Sequence, residues 1–309
     1  MSVKFSRSGL RVDLQAGLPF NHNVAVQFQV ATGLEDASAA FQIERNTHLW
    51  LVRAAASLIQ DQGTMGRQLH HLIQPEDAEQ YKQFHDALVR ALWDADKRAP
   101  YNDPVLEVVP VPTWRSHFYD PDTRTNYAGQ RNLTAVSQGS RYYRDSLRAY
   151  RRGEMLAAGY CLGLSLHYLS DLTQPMHAAN FTWLDSQPFG FHTDFEKHVK
   201  SILPRIEAPQ TYKPQIHQGS TTESHFHMVA RYTKDSYFAL ICKPAWTQHY
   251  SEEMRTTAVW ERRVGKLIPI ILGDAVQYVA QFLMQWAAEA GVASRLVRIE
   301  RLVRQMSGR

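Results

Sequence analysis

Cysteine is nearly absent. The 309 residues hold two, Cys161 inside an apolar helical run and Cys242 next to a Lys-Pro pair. A disulfide scaffold and a thiolate zinc site each need more thiols, so both are excluded and the two residues read as core or incidental. Long apolar runs are missing too. The richest, Leu267 to Leu272, is short and interrupted by Pro269, well under the roughly 20 residues of a membrane-spanning helix. Met1 to Leu10 carries no apolar stretch of the secretory kind. The expectation is a protein that stays inside, leaves by a route the sequence does not display, or has had its signal removed. Charge of one sign is not dominant either: 34 Lys and Arg against 30 Asp and Glu leave +4. That is too mild for a dedicated nucleic-acid binder, though compatible with anionic membranes or phosphate-bearing substrates. No internal repeat or low-complexity segment is evident.

What is present suits a globular chain. Hydrophobic residues make up 44% and aromatics 11%, enough core for one large domain or two ordinary ones. Val24 to Val30 alternates with the two-residue period of a strand. Helical periodicity takes over from Ala37 to Gln60, and Pro75-Glu76-Asp77 predicts the start of a helix running to about Asp96, with Phe84, Leu88 and Leu92 on its buried face. Asp94 and Asp96 stand at that helix's C-terminus, where the dipole disfavours acids, so a use for one of them is suspected. Tyr101 to Asn132 reads as an irregular loop with potential ligands in Trp114-Arg-Ser-His117-Phe-Tyr-Asp120. Ser137 to Ser170 predicts one long helix, broken or bent near Gly153. Ala157, Ala158, Gly159 and Gly163 within it let neighbours approach closely. Arg295 to Met306 is a basic amphipathic stretch, expected to cap the bundle with a solvated face.

The chemistry concentrates between His167 and Glu196. His167 and Asp171 are four apart, so on a helix they share a face and can grip one cation. Pro175 then stops the helix, His177 follows in the turn, and His192 and Glu196 repeat the i,i+4 pairing. Mixed imidazole and carboxylate suit zinc better than magnesium or calcium. A lone His on an apolar helix is more often a satisfied core residue, but three His and two acids in paired register favour ligation.

Set in order, Gly163-Leu-Ser-Leu-His167-Tyr-Leu-Ser-Asp171, Gln174-Pro-Met-His177-Ala-Ala-Asn-Phe-Thr182 and Gly190-Phe-His192 with Glu196 resemble the zinc-dependent bacterial phospholipase C family. Asn46-Thr-His48-Leu-Trp50 and Ser116-His117-Phe-Tyr-Asp-Pro-Asp122 are similar to its earlier segments. The likeness is strong over residues 44–200 and loose beyond. It implies an all-α fold, a compact multi-helix bundle with a trinuclear zinc cleft over 41–309, behind an extension at 1–40 with some β structure and no assigned role. It further implies that His177, His192 and Glu196 hold one zinc, that His117, His167 and Asp171 hold another, and that Asp171 bridges to a third zinc bound by His48. Asp96 matches the family's catalytic acid, which orients or deprotonates a water. The expected substrate is phospholipid at a membrane surface, cut to diacylglycerol and a phosphorylated head group by a monomer. Secretion is implied by the resemblance alone, with a cytoplasmic enzyme as the alternative. Nucleic acid is not expected as a partner.

Two departures stand out. The family's third zinc is also held by an amino-terminal Trp, and Glu35 occupies that place: either proteolysis exposes another amino terminus, or Glu35, Asp36 or His22 substitutes, or the third site is weak. At the head-group positions the sequence has Lys97 and Ser38, with Trp114 the remaining aromatic, so relaxed choline selectivity is expected. The chemistry fits the resemblance: a phosphodiester is anionic and a poor electrophile, so cations must neutralise its oxygens and bring the pKa of water toward about 7. Two rivals remain. A single-strand zinc nuclease of the same fold would need a base-stacking site, and a metal-stabilised binding module would need no Asp96.

Overall fold

The computed structural model describes residues 46–75, 79–97, 114–214 and 221–293, together with two short strands near the amino end. By internal packing the chain divides into Met1–Glu44 and Arg45–Arg309. In the first unit, strands β1 (Val3–Ser6) and β2 (Gly9–Val12) pair antiparallel, Val3 opposite Val12. The strand expected at Val24 to Val30 lies outside the described residues.

The second unit is built from helices. Helix α1 (Thr47–Ile59) starts where the Asn46 side chain accepts the His48 and Leu49 amides, two donors a helix N-terminus otherwise leaves unpaired. The residues before Asn46, where helical periodicity begins in the sequence, are outside the description. Helix α2 (Gly63–Ile73) and helix α3 (Glu79–Lys97) follow, α3 burying Phe84, Leu88 and Leu92 as their spacing predicts.

The single long helix expected over 137–170 is two. Helix α4 (Ala135–Arg152) ends in Gly153 at φ 82°, and helix α5 (Met155–Leu172) begins two residues later. The Ser146 hydroxyl donates to the Ala158 carbonyl and Ser165 to the Gly139 carbonyl, each at 2.8 Å. Residues equally far from the turn therefore face each other, and the break is a full reversal. Glycine at a left-handed C-terminal position makes that reversal cheap.

Helix α5 is the centre of the unit, packed between α3 and α4. All residues from Leu162 to Leu172 are buried, the pattern of a helix with no solvent face. Its glycines set the spacing. A Cβ on Gly159 would lie 2.1 Å from the Phe84 carbonyl oxygen, and one on Gly163 would lie 2.5 Å from that of Leu88. Helix α6 (Phe191–Ile202), α7 (Thr222–Thr233), α8 (Thr257–Val264) and α9 (Ile268–Ala290) complete the unit, a π-helical segment, Lys234–Phe238, extending α7. Pro269 sits in the first turn of α9, where its missing N–H costs nothing. Trp286 of α9 packs on Phe84 and Tyr150, and its indole N–H donates to Ser146 at 3.1 Å. One aromatic thus ties α3, α4 and α9 together. Among the described residues no single helix is long and apolar enough to cross a membrane, and Arg295 to Met306 lies outside them.

Candidate metal centre

Six separate pieces of chain deliver the site. The last turn of α5 carries His167 and Asp171 on one face. Past the helix end, the Gln174 side-chain oxygen accepts the Met176 and His177 amides, folding the turn that presents His177. His192 is the second residue of α6 and Glu196 lies one turn on. His117 closes the 3-10 turn Trp114–His117, His48 is in the first turn of α1, and Asp96 is the penultimate residue of α3.

Their donor atoms converge. His117 Nδ1 lies 2.7 Å from Asp171 Oδ2 and 3.2 Å from His167 Nε2, and His167 Nε2 lies 3.4 Å from the same oxygen. In a second group, Glu196 Oε1 is 2.9 Å from His192 Nε2 and 3.3 Å from His177 Nε2. A tetrahedral zinc with bonds near 2.0–2.1 Å has ligand-to-ligand edges of about 3.3 Å, so both groups have the dimensions of a coordination shell. His48 Nε2 stands 3.8 Å from the other Asp171 oxygen, and its ring lies 4.1 Å from that of His167. The opposite ring nitrogen, Nδ1, is buried with no hydrogen-bond partner among the described residues. Asp96 Oδ1 is 3.5 Å from His167 Nε2. Three clusters able to hold an ion result: His48, His167 and Asp171; Asp96, His117 and His167; His177, His192 and Glu196. The first two share His167, and the third adjoins them through His177, whose Nδ1 lies 3.8 Å from Asp171 Oδ1. Asp96, expected beside the metal ligands, stands as close to His117 and His167 as a ligand does.

Backbone carbonyls aim the rings. His167 Nδ1 donates to the Leu92 carbonyl at 3.1 Å, His177 Nδ1 to that of His117 at 3.0 Å, and His192 Nδ1 to that of Phe181 at 2.8 Å. A carbonyl only accepts, so each Nδ1 carries a proton and Nε2 is the atom aimed at the cluster, its lone pair available there in the neutral ring, the usual outer-shell device of metal sites. Phe118 lies flat on the His177 ring, centroids 4.4 Å apart, and fixes its tilt.

The electrostatics keep the acids ionised. Burial pushes the Asp171 carboxyl up, but the His167, His117 and His177 imidazoles outweigh it and the group lies below the usual range. Glu196, beside His192 and His177, and Asp96, beside His167, are likewise held well below it against their own desolvation. Burial drives the His48 imidazole down to about 4, with the His167 charge acting the same way. His167 goes up to about 9, because Asp171 and Asp96 overcome its desolvation. Ionised carboxylates and imidazoles crowded around shared space form an anionic donor set that a divalent cation completes.

Asp94 is accounted for by structure: it is buried, ion-paired to Arg90 at 2.8 Å and accepts from the Tyr160 hydroxyl at 3.2 Å. Trp114 opens the 3-10 turn that ends in His117 and is 45% exposed. Lys97 ends α3 directly after Asp96, its side chain outside the description, as are His22, Glu35, Asp36 and Ser38. The sequence reading missed Gln174, whose amide nitrogen lies 3.0 Å from His192 Nε2 and donates to Glu196 at 3.3 Å. Its place three residues before His177 was the available signal. The three carbonyls leave no trace in a sequence.

An all-α bundle with a buried central helix, around which imidazoles and carboxylates from six segments gather into groups able to hold an ion, is the architecture of a metal-binding protein. Residues 47–255 match the zinc dependent phospholipase C family, and the chain belongs to it, with zinc as its cofactor. It is 30% identical over 249 residues to a phospholipase C of Bacillus cereus, covering 78% of this chain and 80% of that protein. A phospholipase C of Listeria monocytogenes is 28% identical over 246 residues, covering 78% and 77%. In fold the chain is similar to the alpha toxin of Clostridium absonum (TM-score 0.52, 20% identity) and to an alpha-toxin from an avian strain of Clostridium perfringens (0.51, 17%). In both comparisons 79% of this chain aligns and spans 64% of the toxin.

Proposed function

We propose that the protein is a phospholipase C that hydrolyses the glycerol-phosphate bond of glycerophospholipids, releasing diacylglycerol and a phosphorylated head group. It acts as a monomer on a membrane surface outside the cell. The observation that carries the reading is the pair of ligand groups with coordination-shell dimensions, with the Asp96 carboxylate at their edge and 47% of its side chain open to solvent. His117, His167 and Asp171 would hold one ion, His177, His192 and Glu196 a second, and His48 with Asp171 a third. When bound, zinc supplies positive charge to the non-bridging oxygens of the phosphodiester and makes water acidic enough to ionise near neutral pH. Asp96, ionised and reachable from solvent, accepts a hydrogen bond from the attacking water and directs it at phosphorus, opposite the glycerol oxygen that leaves. The outer-shell carbonyls of Leu92, His117 and Phe181 keep the imidazoles from turning as charge builds up. Trp114 and Lys97 stand at the head-group positions that the family resemblance implies, and one aromatic with a cation there does not demand a quaternary ammonium.

One assay tests this: the zinc-loaded protein against phosphatidylcholine, phosphatidylethanolamine and single-stranded DNA, with and without chelator. Both lipids should be cleaved, chelation should abolish cleavage, and DNA should survive. Asp96→Asn should lose about a hundredfold or more in turnover while keeping its zinc by elemental analysis. Cleavage of DNA with lipid untouched would establish the nuclease instead. A variant with unchanged lipid turnover would remove Asp96 from the mechanism.

A further inference from the structure

The segment joining His177 to His192 is firmly held yet turns its largest apolar side chains outward. Thr182 donates from its amide and its hydroxyl to Asp185, Gln187 donates to the Thr247 carbonyl at 2.6 Å, and the Tyr250 amide donates back to Gln187 at 2.7 Å. Arg255 donates to the Phe189 carbonyl at 2.9 Å, and Ser186 is buried beneath. Over this frame Trp183 is 52% exposed, Leu184 51% and Phe189 47%, the Trp183 and Phe189 rings packed edge to face at 5.4 Å. Leu184 also lines an open groove whose far wall includes Tyr127, itself exposed. The loop that forms that far wall carries charge of both signs, and Asp120 lines the groove together with Asp185. Asp120 and Asp122 are ion-paired to Lys234, whereas Arg124 and Arg131 on the same loop are exposed and make no ion pair with another described residue. The rim is continuous with the site, because Phe181 at the start of the segment accepts from His192, and Phe118 bridges Tyr127 to His177.

Resting on the phospholipase reading above, we infer that this rim is the surface on which the protein sits on a phospholipid layer. Trp183, Leu184 and Phe189 enter the boundary between head groups and acyl chains, and Arg124 and Arg131 meet anionic head groups. Trp and Phe lose hydration there while an indole N–H stays at the polar level. Basic residues beside them add attraction that salt screens. A substrate drawn from the layer then arrives between the two ligand-bearing turns.

The test is sedimentation with vesicles of phosphatidylcholine and phosphatidylglycerol in equal parts, using zinc-loaded protein in an Asp96→Asn background to spare the lipid. The double variant Trp183→Ser, Phe189→Ser should bind on the order of tenfold more weakly. Arg124→Gln with Arg131→Gln should lose roughly fivefold per charge at low salt and little at high salt. In the active protein the Trp183 and Phe189 variant should still cleave monomeric short-chain phosphatidylcholine at the parent rate, which also shows that its site is folded; Leu184→Ala is the milder second variant. Undiminished vesicle binding by the double variant overturns the inference. So does parent protein that self-associates through the rim while its monomeric variant keeps full vesicle binding. Loss of vesicle binding in the variant, with no cleavage of short-chain lipid by either protein, would sink the phospholipase reading and leave the lipid surface standing.

Discussion

A single residue outside the ligand set, Gln174, shows how much of the site is held by neighbours. Its carboxamide orientation is fixed, because the oxygen accepts two backbone amides and so turns the nitrogen toward His192 and Glu196. It therefore orders the turn and one ligand group together. Gln174→Leu should weaken zinc retention at the His177, His192 and Glu196 group by about tenfold, the size usual for outer-shell changes, read by competition with a chromophoric chelator. A variant that holds zinc as tightly as its parent would reduce Gln174 to a turn former. The candidate ligands were legible as pairs: His167/Asp171 and His192/Glu196 stand on helix faces as their i,i+4 spacing requires. Which partner each takes was not, since nothing in the spacing says that Glu196 meets His177 as well as His192.

At the scale of elements, the position of His167 depends on how closely α3 and α5 approach. Gly163, one turn before it, has no room for a methyl group: besides the Leu88 oxygen, the Ala91 Cβ would be 2.7 Å away. Gly163→Ala gains about 1 kcal/mol of helix propensity, but the overlap is with backbone, which cannot rotate away. The helices must separate, so a net loss of about 2 kcal/mol in chemical denaturation is expected, together with reduced turnover because His167 and its Leu92 acceptor move apart. An unchanged denaturation midpoint would mean that the two helices have slack. The small residues along α5 announced a close approach; the reversal at Gly153 was visible only as a weak point. A helix that bends and a hairpin that folds back share local sequence, and the choice rests with the contacts α4 and α5 make afterwards.

At the scale of the whole molecule, metal and fold are coupled. The candidate ligands come from α1, α5, α6 and two turns, so an ion bound among them would cross-link segments that the unfolded chain leaves apart. A ligand held at a thousand times its Kd stabilises by about 4 kcal/mol, which for a chain of this size corresponds to a melting temperature roughly 6 °C higher. Stripping zinc with a chelator should lower the thermal midpoint by about that amount, and added zinc should restore it. Equal midpoints with and without metal would mean that the helices alone hold the ligands in place.

The sequence by itself determined the class of fold, through helical periodicity and a central run of small and apolar residues, and it marked candidate ligands through their chemical type and pairing. Spacing along the chain does not bring His48, Asp96 and His117 to the same patch, which the resemblance alone implied; their convergence is a matter of tertiary structure, as are the three backbone carbonyls that set the rings. The reason is physical. Pairing along a helix is local and is written in residue spacing, whereas convergence of distant segments follows from how whole helices pack, a property spread over the core and carried by no motif.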